Sequence, residues 1–305
     1  MKKKSFCRLL RLIPLPLLAA PLLFASCSSD DSMTPIDEVK TPQRPISVEV
    51  SETPFGNTTE ARQLTRAAIT DLTSFNSFKM IANNPAKDDY EVTKNGSWEV
   101  EGSWPYDVDE NTPVTFYAYS DGTYNDNSGT PFISFIMDEN ASAQHDLLVA
   151  TNTLSFNDHQ GKVPLTFDHA CAAVAFNVQI TSTLKTKLGS TLTVNSIVLR
   201  NVSNTGNYYF GSSTWGDVKA SDDPKTPPHY TLTNGDITVD NTPQALSSNY
   251  LFVIPQSRDA NGTTVTYLEI NYDSNTKQAT IPIAVNWAAG SKYTINIKLG
   301  TTLIQ

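Results

Sequence analysis

Sustained helical periodicity is missing from this sequence, apart from Thr181 to Leu188, which can form one or two helical turns. That absence excludes a helical bundle and argues against the strand–helix alternation of a parallel α/β sheet. Charge is scarce as well, at 17% of 305 residues. Cysteine is rarer still, with three. Cys7 lies in an N-terminal leader and Cys27, just after it, is accounted for below, so Cys171 has no intrachain partner and a disulfide scaffold is excluded. A lone Cys among alanines reads as a small buried hydrophobe rather than a catalytic thiol. The four histidines, His145, His159, His169 and His229, lack metal-ligand spacing. Asp168-His169 could form half of a triad, but no Gly-x-Ser-x-Gly elbow accompanies it, and a His near a strand corner reads as a hydrogen-bonded structural residue. Asp121 to Asn127 is rich in oxygens, but Gly122 is misplaced for a calcium loop and the stretch reads as a solvated turn. There is no phosphate-cradling glycine loop. These absences leave no nucleophile, base and orienter to assemble, so no catalytic residue, no metal and no cofactor are expected, and the protein is not read as an enzyme.

The formal charge is −9, and five cations (Lys2, Lys3, Lys4, Arg8 and Arg11) lie in the leader. Without them Lys+Arg falls from 22 to 17 while Asp+Glu stays at 31, a net charge near −14. Such a surface argues against nucleic acid and against docking on anionic lipid. Leu9 to Ala25 is apolar but broken by Pro14, Pro16 and Pro21, too interrupted for a stable spanning helix. It ends Leu23-Phe24-Ala25-Ser26-Cys27, which resembles a bacterial lipoprotein signal. The resemblance implies that residues 1–26 are removed and that Cys27 is lipidated, its acyl chains holding the protein on the outer membrane. Residues 27–43 are polar and carry Pro35 and Pro42, which reads as a flexible tether. Within it, Ser28-Ser29-Asp30-Asp31 resembles the acidic surface-export signal of Bacteroidetes lipoproteins.

What remains is a succession of short alternating strands. Ile46 to Val50 is the first, with Ile46, Val48 and Val50 on one face. A polar stretch from Ser51 to Thr65 follows, and Arg62 and Arg66 are the only arginines between Arg44 and Arg200. A loop joining an isolated strand to the rest of a chain is where proteolysis concentrates. Strands recur over Phe75 to Ala82, around the Asn95-Gly96 turn, over Val114 to Tyr119, Phe132 to Met137 and Leu147 to Ala150, with a loop from Asp121 to Gly129. A second set runs from Val163 to Leu299. Ile281, Ile283, Val285 and Trp287 share one parity, Ala288 to Ser291 reads as a turn, and Tyr293 to Leu299 reads as the return strand of a closing hairpin. Trp98, Trp104, Tyr106, Tyr117, Tyr119 and Tyr124 can stack on sugar or fill a β-core.

One stretch breaks the alternation. Val163, Leu165 and Phe167 lie on odd positions, whereas Val174, Phe176, Val178 and Ile180 lie on even ones. A one-residue slip carries every side chain to the opposite face, so a single flat strand cannot hold both rows. Either the chain bends or bulges within His169 to Ala173, or the segment is buried on both faces.

Several pieces in order resemble the Bacteroidetes fimbrillin family, the Mfa-like and FimA-like pilins of type V pili. They are the Cys27 lipobox, Thr65-Arg66-Ala67, Asp146 to Ala150, Val163 to Val174, Tyr250 to Gln256 and Trp287 to Ile297. The resemblance implies an all-β fold of two tandem transthyretin-like β-sandwich domains, residues 44–160 and 161–305. It implies export as a surface-exposed lipoprotein and cleavage by an Arg-specific protease, at Arg66 first and Arg62 second. Cleavage would remove the strand of Ile46, Val48 and Val50, and a strand from another pilin subunit would complete the sandwich by β-strand complementation. With Tyr293 to Leu299 committed to a closing hairpin, either that hairpin rearranges to donate a strand or the chain accepts without donating; the second reading, favoured here, makes it a tip or accessory pilin able to meet a host or bacterial surface ligand. The alternative is a surface lipoprotein that binds glycan or protein and does not polymerise.

Overall fold

The computed structural model describes residues 44–57, 75–83, 88–105, 107–219, 229–233, 235–246, 250–258 and 265–302. Strands β1 (Ser47–Glu52) and β2 (Gly56–Asn57) open the chain. They are followed by β3 (Ser77–Asn83), β4 (Asp88–Asn95), β5 (Ser97–Val100), β6 (Val114–Tyr119), β7 (Thr123–Asn127), β8 (Thr130–Ile136) and β9 (Leu148–Leu154). One helical turn, α1 (Phe156–His159), leads to β10 (Lys162–His169), β11 (Ala172–Ile180) and α2 (Ser182–Leu188). The chain continues through β12 (Leu192–Arg200), β13 (Thr205–Tyr209), β14 (Thr214–Lys219), β15 (His229–Thr233), β16 (Ile237–Val239) and β17 (Gln244–Ala245). It ends with β18 (Leu251–Val253), β19 (Ser257–Arg258), β20 (Thr266–Tyr272), β21 (Lys277–Ile283), β22 (Val285–Asn286) and β23 (Ser291–Leu299). The fold is all-β, with α1 and α2 the two helices among the described residues. The expected helical turns at Thr181 to Leu188 form α2, capped by the Thr181 hydroxyl accepting from Leu184 N–H and stopped at Gly189 in the left-handed region.

The strands make four main sheets, ordered β1-β10-β9-β6-β3-β4-β5, β17-β11-β23-β2, β15-β12-β20-β21 and β14-β13-β8-β7. The last draws two strands from each side of residue 160, through a β8–β13 ladder from Phe132↔Tyr209 to Ile136↔Thr205. Alternation along β3, β6 and β9 is unusually informative. Met80, Ala82, Phe116, Ala118, Leu148 and Ala150 point into one apolar cluster. Their neighbours Ile81, Tyr119, Leu147 and Val149 point into another. This sheet therefore buries both faces, and two cores share it as a wall.

The parity switch has a double explanation. β10 ends at His169 and belongs to the first sheet, whereas β11 starts at Ala172 and belongs to the second, with a bend at Cys171. Val163, Leu165 and Phe167 fill one cluster, and Ala170 to Ile180 fill the other. β11 is also buried on nearly every residue, so both readings of the stretch hold, one after the other. Ala170, Ala172 and Ala173 suit a crossing where the backbone is hemmed in on all sides.

Two expectations fail. The closing hairpin does not exist: β21 pairs antiparallel with β20, while β23 runs parallel to β11 from Ala173↔Lys292 to Ile180↔Leu299. Alternation reveals which face a strand buries, not which strand lies beside it. The Ala288 to Ser291 turn is instead a passage between sheets, pinned where Gly290 N–H donates to the Cys171 carbonyl. The Asp121 to Gly129 loop holds β7, hydrogen-bonded to β8. Its polar residues concealed it, because β7 carries no fully buried side chain.

Candidate functional site

The N-terminal segment is the functional candidate, and the structure describes it from Arg44 to Asn57. β1 runs parallel to β10 from Ser47↔Lys162 to Glu52↔Phe167. Ile46 is buried, and Val48 and Val50 are half-buried against the cluster that contains Val163, Leu165 and Phe167. β10 reaches β9 only at Asp168↔Val149 and His169↔Leu148. Among the described residues, Lys162 to Phe167 therefore have β1 as their sole ladder partner. Without β1, this part of β10 would present bare N–H and C=O groups beside a row of large apolar side chains. A short strand in that condition is unstable without a partner.

Anchors sit at both ends of the segment. Upstream, the Arg44 guanidinium donates to the carbonyls of Val108 (2.6 Å) and Pro105 (3.3 Å) and pairs with Glu110 at 3.2 Å. Trp104 N–H returns a bond to the Arg44 carbonyl. The backbone passes so close to Gly161, which has φ +80°, that a Cβ there would lie 2.0 Å from the Pro45 oxygen. Gly161→Ala is expected to force the segment outward and to destabilise the protein by about 2 kcal/mol, roughly 5 °C in melting temperature. Thermal melts alongside limited proteolysis at the segment would check this; an unchanged melt would mean that the backbone there yields freely.

Downstream, two side chains missed by the sequence reading carry the anchor. Glu52 continues the inward row of Ile46, Val48 and Val50, and His169 continues the row of Val163, Leu165 and Phe167. Both apolar rows thus end in an ionisable residue, Glu52 in register with Phe167 and His169 two residues beyond it, and that was the legible signal. Glu52 Oε1 lies 2.7 Å from His169 Nε2, and His169 Nδ1 faces Asp146 Oδ2. The His169 and Asp146 side chains are each 2% exposed. Each ring nitrogen faces a carboxylate, so either the imidazole donates twice as a cation or one carboxyl carries a proton. Burial pushes the Asp146 carboxyl up from its ordinary value, and the His169 hydrogen bond only partly offsets it. Phe55 stacks on the His169 ring, centroids 3.6 Å apart, and also on Phe252 at 6.4 Å. β2 then adds to β23, and Gly56 N–H donates to the Gly290 carbonyl at 2.7 Å.

The half-triad reading thus changes partner. His169 is held by Asp146 and Glu52, while Asp168, its neighbour in sequence, points to solvent. Cys171 is fully buried, and burial pushes its thiol well above the ordinary value, which suits an inert hydrophobe. The Asp121 and Asp126 carboxylates accept from the backbone N–H groups of Gly122 and Gly129. Of the aromatic set, Trp104 and Tyr119 are buried, and Trp98, Tyr117 and Tyr124 are half-buried against the cores. Tyr106, Cys27, Arg62 and Arg66 lie outside the described residues, as do the leader and the tether.

Comparisons with known proteins follow this geometry. No curated protein matches the chain. Its fold is similar to that of a fimbrial protein from Bacteroides vulgatus, with TM-score 0.53 and 19% identity over 84% of this chain and 96% of that one. It is also similar to a protein from Bacteroides ovatus described as a candidate cell adhesion protein, with TM-score 0.52 and 14% identity over 86% of this chain and 95% of that one. A corresponding protein from Parabacteroides distasonis gives TM-score 0.50 and 10% identity over 86% of this chain and 90% of that one. At such identities the likeness concerns the fold. The sequence itself matches the model of one family, described as fimbrillin-like, over residues 57–305, and the chain belongs to that family.

Proposed function

We propose that the protein is a subunit of a cell-surface fimbria, exported as a lipoprotein through Cys27, cleaved after Arg66 or Arg62, and completed by a strand from a neighbouring subunit. Family membership and the fimbrial and adhesion structures it resembles support a pilus or adhesin subunit at the cell surface. The observation that carries the finer reading is the ladder of β10, whose Lys162 to Phe167 pair with β1 alone among the described residues. Cleavage would free β1 and leave a groove with an unpaired backbone edge and alternate side-chain pockets to offer. A strand seated there by another copy or another pilin makes a head-to-tail contact, which extends rather than closes.

The same reading takes the chain as an acceptor at the tip or in an accessory position. β23 supports this, since it is laddered along its length to β11 and buries Ile297 and Leu299, and so is poorly placed to be donated. It also takes the architecture as two tandem transthyretin-like sandwiches, 44–160 and 161–305, with β10 crossing from the second stretch into the sheet and apolar cluster of the first. The deciding measurement is the N-terminal mass of the protein recovered from the cell surface. A new N-terminus at Ala67 is expected. A full-length lipidated chain as the sole mature species would overturn the proposal and favour a surface lipoprotein that does not polymerise.

A further inference from the structure

The level at which β1 ends is chemically unlike the rest of the groove. Along Ile46, Val48 and Val50 the contacts are apolar and would accept any alternating strand. At Glu52 and Phe55 they become specific. His169 Nε2 is buried and meets Glu52 Oε1 at 2.7 Å, while its other nitrogen is held by Asp146. Taking Glu52 away leaves a buried ring nitrogen without its hydrogen-bond partner. Taking Phe55 away empties a slot walled by the His169 and Phe252 rings, over which the Lys292 ammonium stands 5.5 Å from the Phe55 ring. Glu49, by contrast, meets Lys162 at the surface, where both side chains are more than half exposed.

We infer that this end of the groove selects the strand that replaces β1, accepting from another subunit an extended segment that carries a carboxylate at the level of Glu52 and an aromatic ring three residues later. The inference rests on the strand-replacement reading above. His169 and Asp146 are then specificity-determining residues of an acceptor groove. Apolar alternation gives such a strand its register, and the carboxylate–aromatic pair gives it its identity. A strand with alternation alone would seat but would leave Nε2 unpaired.

The test uses the unaltered acceptor side. A specific protease site is introduced after Arg66, the full chain is cut, and the seated segment is exchanged against fluorescein-labelled peptides spanning residues 44–57. Binding is read by anisotropy. The native peptide is expected to bind, and E52A and F55A peptides are each expected to bind at least tenfold more weakly. An E49A peptide should remain within twofold of the native one. If the native peptide binds and E52A and F55A match it within twofold, the groove reads alternation only and the inference fails, while strand replacement stands. If the native peptide itself does not bind, strand replacement fails and the inference with it. Because every substitution lies in the peptide, misfolding of a variant cannot mimic either result.

Discussion

Cutting the chain after Arg66 and removing the released segment is expected to lower the melting temperature by about 10 °C, and an excess of a peptide spanning residues 44–57 should restore most of the loss. Ile46 is 8% and Phe55 9% exposed. Burying side chains of this kind stabilises by about 1.5–3 kcal/mol each. Val48 and Val50 add smaller contributions from half-buried positions. The conformational freedom the segment regains on release offsets part of this. The exposed faces of Val163, Leu165 and Phe167 and the unpaired ladder of β10 act in the opposite direction. A net loss of about 3 kcal/mol or more follows, and in a chain of this size each kcal/mol corresponds to roughly 2–4 °C. Rescue obeys mass action: peptide at a hundredfold excess over its dissociation constant returns about 2.7 kcal/mol. Calorimetry of the intact, cut and peptide-supplemented protein separates these states. A cut and washed chain melting within 2 °C of the intact one would show that β1 is dispensable, and the groove would lose its energetic basis.

The strands that matter to this argument were legible from side-chain alternation, and their partners were not. Ile46 to Val50 and Val163 to Phe167 each declared a buried face, and those faces meet in the structure. That they run side by side in parallel depends on chain segments 115 residues apart, which no local pattern encodes. The same limit explains the missing hairpin at Ala288 to Ser291, where two well-marked strands in succession enter different sheets. β7 and β14 escaped notice because both are polar along most of their length and bury no side chain fully, which leaves no apolar alternation to read. The anchor was half visible. His169 stood out, but its neighbour Asp168 drew attention because it is adjacent in sequence. The residues that hold it, Asp146 and Glu52, come from two other parts of the chain. What the sequence carried was subtler: two inward rows, each ending in an ionisable residue where an apolar one would continue the pattern. Such a residue is tolerated only when it is paired, so two rows that end this way point to each other.

Phe167→Ala is expected to destabilise the protein by about 3–5 kcal/mol, roughly 10–15 °C in melting temperature. Phe167 is fully buried, and its ring meets Phe78 edge-on at 4.9 Å and Phe75 at 5.1 Å. Its register partner on β1 is Glu52, so the neighbouring strand offers no apolar side chain at this level to fill the void. Ile136→Ala offers the contrast: its side chain is 72% exposed, and its loss should change stability by less than about 0.5 kcal/mol. The shared wall makes a sharper statement possible. Trp98 and Trp104 report on the cluster that holds Phe167, and Trp215 and Trp287 report on the other. Because β3, β6 and β9 send alternate residues into both clusters, neither core can open without stripping one face of the same sheet. The two tryptophan pairs, read separately in chains with the opposite pair changed to phenylalanine, should therefore melt together, and Phe167→Ala should shift both by the same amount. A shift confined to Trp98 and Trp104 would show that the two cores unfold independently and that the shared sheet does not couple them.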